Sequence, residues 1–174
     1  GMENQQIISE FLMTLQQLME WPVQVVIRLL TDEERVVGFY QRLPSDMGSL
    51  QVLDVYVSEC EQVQKYNPWL HYGYPLHLCR EQGIHKPVLE ALSRRALTAA
   101  ESAEVLRIIF LHDQPQDQMS YVHFRKQVDE WNKDAGVLWN PTKKRFVHWV
   151  DMKKLDKFYK HAADGNSEEK CSIM

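Results

Sequence analysis

The chain has 174 residues, of which 44% are hydrophobic and 25% charged, with a formal net charge of −4. That length suits one domain, or one domain with a small appendage. The composition is ordinary for a soluble globular protein, and no apolar run approaches the roughly 20 residues of a membrane-spanning helix.

From the N-terminus, "NQQIISEFLMTLQQLMEW" carries Ile8, Phe11, Leu12, Leu15 and Leu18 at helical spacing, and Pro22 stops the pattern. This amphipathic helix packs on the core or pairs with a second copy. "PVQVVIRLLTDEERVVGFYQRLP" has two readings. As helix, Val23, Val26, Ile27 and Leu30 form one stripe, and "TDEE" is a capping box from Thr31 to Glu34 opening a second helix. As strand, its β-branched residues suit a hairpin turning at "TDEE". The capping box and the lack of a Gly or Asn turn favour helices. "PSDMGS" is a loop. "LQVLDVYVSECEQVQKY" can start as a strand and continues as helix. "NPWLHYGYP" is an aromatic corner bounded by prolines.

"LCREQGIHKPVLEALSRRAL", residues 78–97, is a helical pattern broken at Gly83 and resumed beyond it. A sharp bend between two crossing helices favours glycine, which takes left-handed backbone without strain. On that reading Cys79 faces the second helix at close range, Ile84 is buried after the turn, and Leu78, Leu89 and Leu92 face inward. Pro87 falls in the first turn, where its missing N–H is harmless. His85, Lys86, Glu90, Ser93, Arg94 and Arg95 then form the outward face. These residues resemble the helix-turn-helix regulators of bacteria, and "GIHKPVLEAL" looks like their turn and recognition helix. The resemblance covers about 20 residues and implies that the second helix enters the major groove of duplex DNA. Lys86 and Arg94 would meet guanine or phosphate, and Glu90 a cytosine amine or Arg94. Gln82 departs from the motif, which has an apolar residue there. The competing reading is a plain corner between two core helices. A second echo, "LLTDEERVVGFYQRLP", resembles the helix-turn-helix of the C subunit of the enterobacterial flagellar master regulator. That family's four-cysteine zinc cluster has no counterpart here.

"TAAESAEVLRIIFLHD" opens with a capping box, Thr98 to Glu101, and "QPQDQ" is a loop. "SYVHFRKQVDEWNKDAG" is a helix closed by Gly136. "VLWNPTKKRFVHWV" alternates across a turn and reads as a β-hairpin with Lys143, Lys144 and Arg145 at its tip. "DMKKLDKFYKHA" is a short basic helix, carrying Lys153, Lys154, Lys157 and Lys160. Helix followed by basic hairpin is the order of a winged helix, with Tyr121, Arg125 and Lys126 facing outward on the helix and the tip on phosphate. The alternative is a solvated tip whose aromatics pack on the core. "ADGNSEEKCSIM", residues 163–174, is a polar tail expected to be disordered.

Residues 1–60 hold three basic and nine acidic side chains, and residues 121–174 hold eleven basic and eight acidic. Fields act locally, within a Debye length of about 8 Å, so a basic rear can take a polyanion despite the net charge. Three cysteines without repeated spacing (Cys60, Cys79, Cys171) argue against a disulfide framework. His71, His77, Cys79 and His85 do not have zinc-finger spacing. No phosphate loop, serine elbow or HExxH marks an enzyme, and no cofactor is implied. "CSIM" matches a prenylation box at Cys171, meaningful only where prenyltransferases act.

The expectation is therefore an α+β, mainly α protein: a helical bundle with a helix-turn-helix and a wing-like C-terminal hairpin. Residues 2–60 form an N-terminal helical or α+β region suited to dimerisation, residues 61–162 the helix-turn-helix and hairpin, and residues 163–174 the tail. The expected function is that of a cytoplasmic, non-enzymatic DNA-binding regulator, homodimeric on symmetric sites. The alternative is a protein-interaction module without nucleic acid, membrane-anchored if Cys171 is prenylated.

Overall fold

The computed structural model of the chain describes residues 2–43, 50–84, 86–111 and 120–169. The loops expected at 44–49 and 114–118 lie outside them, as do His85 and Cys171. Chain contacts divide the protein into two compact units, Gly1–Val55 with Cys79–Ile84, and Tyr56–Leu78 with His85–Met174. The sequence suggested a boundary at residue 60; the division falls after Val55, and Cys79–Ile84 is grouped with the first unit. The whole is mainly helical with a small antiparallel hairpin, the expected α+β class.

The first unit holds α1 (Met2–Met19), β1 (Val25–Arg28), α2 (Glu34–Gln41) and β2 (Leu50–Leu53). Residues 25–28 are thus a strand, contrary to the helical reading, while 34–41 are helix as expected. The two strands are parallel, with Val25 opposite Leu50 and Arg28 opposite Leu53. Parallel neighbours need a crossover of a dozen or more residues, and α2 lies within it. The "TDEE" box is not formed. Thr31 Oγ1 accepts from the Glu33 N–H at 3.1 Å, and Glu33 caps α2 with no side-chain bond. Among the described residues of this unit Leu15, Leu29 and Leu53 are the buried apolar side chains, and Phe11 and Phe39 each meet Tyr40 edge to face. Arg80 is also buried in this unit. With its amide oriented to satisfy both bonds, Gln51 accepts from Arg80 Nε at 3.3 Å and donates to the Arg80 carbonyl at 3.2 Å.

The second unit is built from α3 (Tyr56–Tyr66), the start of α4 (Tyr74–Glu81), α5 (Pro87–Ala91), α6 (Ala99–Phe110), α7 (Tyr121–Asp134), β3 (Val137–Asn140), β4 (Arg145–His148) and α8 (Met152–Glu169). The hairpin pairs Val137 with His148 and Asn140 with Arg145. Residues 163–169 fall within the span of α8, where the sequence suggested an unstructured tail. The capping box at Thr98 is complete: its hydroxyl accepts from the Glu101 N–H and the Glu101 carboxylate from the Thr98 N–H. Gly136, at φ +71°, follows α7.

The core of this unit runs through Val63, Trp69, Leu70, Leu89, Leu92, Val105, Leu106, Val128 and Leu155. Two buried asparagines tie irregular chain to it. Asn67 donates to the carbonyls of Leu92 and Arg95, both at 2.9 Å, and accepts from the Leu97 N–H at 3.0 Å. Asn132 exchanges two 3.0 Å bonds with the backbone of Val150. The aromatic corner is ordered by strand-like pairing with the segment after β4. Leu70 bridges Val150, His71 N–H donates to Trp149 O, and Asp151 N–H donates to Trp69 O. A Cβ on Gly73 would come within 2.7 Å of the Trp149 ring, so only glycine fits at that crossing.

Candidate functional site

The bend at Gly83 is present. Its φ is +85°, Ile84 N–H donates to Cys79 O, and Gly83 N–H donates to Arg80 O. That pair of bonds is a Schellman closure of α4, the common way a helix ends at glycine. The surrounding burial departs from the helix-turn-helix pattern. Leu78 and Ile84 are 38% and 43% exposed, and Cys79 is exposed, where all three were expected to face inward. The buried residues of α4 are Leu76, His77 and Arg80. A buried arginine claims the face that a small apolar residue was expected to hold.

Beyond the bend, Leu89 and Leu92 are buried as expected. The helix itself, α5, has five residues, three of them (Val88, Leu89, Ala91) buried. Five residues span roughly 7.5 Å at 1.5 Å each, less than the roughly 12 Å width of a major groove. Lys86 and Arg94 are exposed, while Glu90 and Ser93 are half-buried. Arg95 is engaged with Glu101 through two bonds of 2.8 and 2.6 Å. That guanidinium, with the Thr98 N–H, holds the Glu101 carboxyl down at about 2. The winged-helix face of α7 is likewise altered. Tyr121 and Arg125, expected to face outward, both bind Asp156 of α8, at 2.8 and 2.7 Å, and Lys126 alone of the three is exposed.

The hairpin turn and α8 of the second unit carry exposed cations. Lys144, at φ +50°, and Arg145 are exposed at the hairpin turn. Lys153, Lys157 and Lys160 are exposed on α8 at spacings of four and three, hence along one face. Among the described residues none of these five has a carboxylate within 4 Å, whereas Arg28, Arg95, Arg125 and Lys133 each do. The outer face of the hairpin adds Trp139 and Phe146, a cross-strand pair with ring centres 5.4 Å apart, 49% and 66% exposed.

The third tip residue behaves differently. Lys143 is half-buried, with Nζ 2.6 Å from His71 Nε2. Burial pushes its pKa down, and the charges of Lys154 and Arg145 add to this. The other candidate histidine, His77, meets the Tyr72 hydroxyl at 3.3 Å and stacks on Tyr74. Cys60 is buried, its thiol 3.4 Å from the Tyr72 carbonyl, and desolvation pushes it up to about 12, which leaves it a poor nucleophile. Comparison of the chain with protein-family models, curated protein sequences and solved structures finds no match.

Proposed function

We propose that the protein is a non-enzymatic nucleic-acid-binding protein that holds the phosphate backbone of duplex DNA through the hairpin turn and α8 of its second unit. The observation that carries this reading is the set of exposed cations that make no ion pair within 4 Å among the described residues: Lys144 and Arg145 on the hairpin, Lys153, Lys157 and Lys160 on α8. Cations exposed on the hairpin turn and along one face of α8 attract a polyanion, which releases counter-ions when it binds them. Lys86 and Arg94 serve as auxiliary backbone contacts. The five-residue α5 is too short to read bases along a groove, so binding is weakly selective for sequence.

Anisotropy of a labelled mixed-sequence duplex, titrated at several salt concentrations, tests this. Five phosphate contacts give a slope of log K on log salt of roughly −4.5, and changing Lys144 and Arg145 to alanine together reduces its magnitude by about 2. Absence of binding even at about 50 mM salt removes the proposal.

A second reading, a protein-interaction module, draws on the exposure of Trp139 and Phe146. Exposed aromatic pairs are typical anchors of protein interfaces. Under that reading Trp139→Ala abolishes partner capture while Lys144→Ala and Arg145→Ala have small effects. Dimerisation through the apolar residues that α1 exposes, Ile8, Phe11 and Leu18, suits either reading.

A further inference from the structure

Lys143 stands apart from the exposed cations, and its surroundings have a chemistry of their own. His71 Nδ1 lies 2.6 Å from the carbonyl oxygen of His148. A carbonyl only accepts, so Nδ1 carries the hydrogen. Nε2 is then the nitrogen with the lone pair, and it is aimed at Lys143 Nζ at 2.6 Å. An amine, a base within hydrogen-bond reach, and a third group orienting the base make up the arrangement by which proteins activate nucleophiles.

The elements packed around the pair set its charge. The hairpin turn contributes Arg145, α8 contributes Lys154, and Asp151 just ahead of α8 is the one carboxylate acting on both members. His71 is buried, which lowers its pKa and keeps it neutral at rest, so Nε2 offers its lone pair to an Nζ–H and holds a proton only transiently. Two cations against one carboxylate leave the surroundings of Nζ positive.

We infer that Lys143 is a nucleophilic amine with His71 as its base, and that the pair condenses with an aldehyde bearing a phosphate group. Lys143 passes one proton from its ammonium to His71 Nε2. The imidazolium is held by its Nδ1–H bond to His148 O and by the charge of Asp151. The Nζ lone pair then attacks the carbonyl carbon, forming the N–C bond, and the C=O π pair moves to oxygen. The oxygen departs as water with two hydrogens of the original ammonium, one of them returned by His71. The product is a protonated imine, and nothing is oxidised or reduced. Lys154 and Arg145 attract the phosphate. This chemistry does not depend on the nucleic-acid reading, and the two are tested separately.

The probe is pyridoxal 5′-phosphate at substoichiometric amounts, with borohydride to fix the imine and peptide mass spectrometry to locate it. Lys143 is expected to carry most of the label, pyridoxal without its phosphate to label it at least tenfold less, and Lys154→Ala to shrink that difference. His71→Gln is expected to slow labelling of Lys143 about tenfold with the fold intact by circular dichroism. Since His71 is buried and its variant can fail to fold, the wild-type pH profile gives an independent reading. Labelling of Lys143 reaches half its maximum at lower pH than that of the side chain of N-acetyl-lysine under the same conditions. Label spread evenly over Lys143, Lys144, Lys153 and Lys157, or a midpoint for Lys143 equal to that of N-acetyl-lysine, overturns the inference.

Discussion

The two units of the chain meet the demand for burial in different ways. The second surrounds a continuous apolar core with helices and fastens its irregular segments with Asn67 and Asn132. Among its described residues the first buries three leucines, adds an arginine and a glutamine to its interior, and leaves Ile7, Ile8, Met13, Leu18 and Trp21 exposed along and just after α1. Burial of a large aliphatic side chain stabilises by about 1.5–3 kcal/mol, so the second unit holds most of the hydrophobic stabilisation. The first relies more on polar pairing such as Gln51 with Arg80 and Arg28 with Glu81, at 2.9 Å. A buried charge of that kind specifies an arrangement more than it stabilises it.

Substitutions can break or sharpen this contrast. The largest effect is expected for Leu106→Ala, in the fully buried centre of the second unit, at about 2–5 kcal/mol in urea unfolding. Leu15→Ala in α1 should fall at or below the bottom of that range, and equal losses would abolish the distinction between the units. Asn67→Ala comes next. It strands two carbonyls and one N–H in the interior and should cost roughly 2–3 kcal/mol, with the loss of heat stability read by calorimetry. The two look-alike capping sequences give a smaller, sharper comparison. Thr98→Ala removes a formed box and should cost about 1 kcal/mol, whereas Thr31→Ala removes one exposed bond and should cost about 0.5 kcal/mol or less.

Acid adds the smallest effect, and it acts on the second unit. The Glu101 carboxyl is lowered from an ordinary 4.5 to about 2, so its contribution is complete above 4.5 and is lost as pH falls toward 2. Glu101→Gln should flatten stability against pH in that window. His71 is a base with a lowered pKa, so the unfolded chain takes up its proton first. Stability therefore declines as pH falls below about 6.5, and His71→Gln, where it folds, removes that decline.

What could be read from the sequence divides along the range of the interactions involved. The Thr98 box, the closure of α7 before Gly136, the bend at Gly83 and the hairpin are decided by residues a few positions apart, and their signals are local. The strand at 25–28 is decided by its parallel partner at 50–53, across a crossover that periodicity does not register. The inner face of α4 was misjudged because a buried Arg80, matched to Gln51, reverses the rule that charged residues lie outside. At the candidate site, the basic tip was legible as composition. That Lys143 turns away from Lys144 and Arg145 was not, since His71 lies 72 positions upstream. Tyr121 and Arg125 were misplaced for the same reason: Asp156, which claims both, belongs to another helix.

The pairing of residues 69–71 with 149–151 also bears on how the protein is made. The main-chain groups of Trp69, Leu70 and His71 wait for partners about 80 positions later. On the ribosome, α3 and the aromatic corner emerge early, yet they cannot lock until the hairpin has left the exit tunnel. A nascent chain arrested near residue 140 would hold Trp69 and Leu70 uncovered, the state in which chaperones bind and aggregation begins. The cover over Trp69 is complete only when the start of α8, with Leu155 and Phe158, has been released as well.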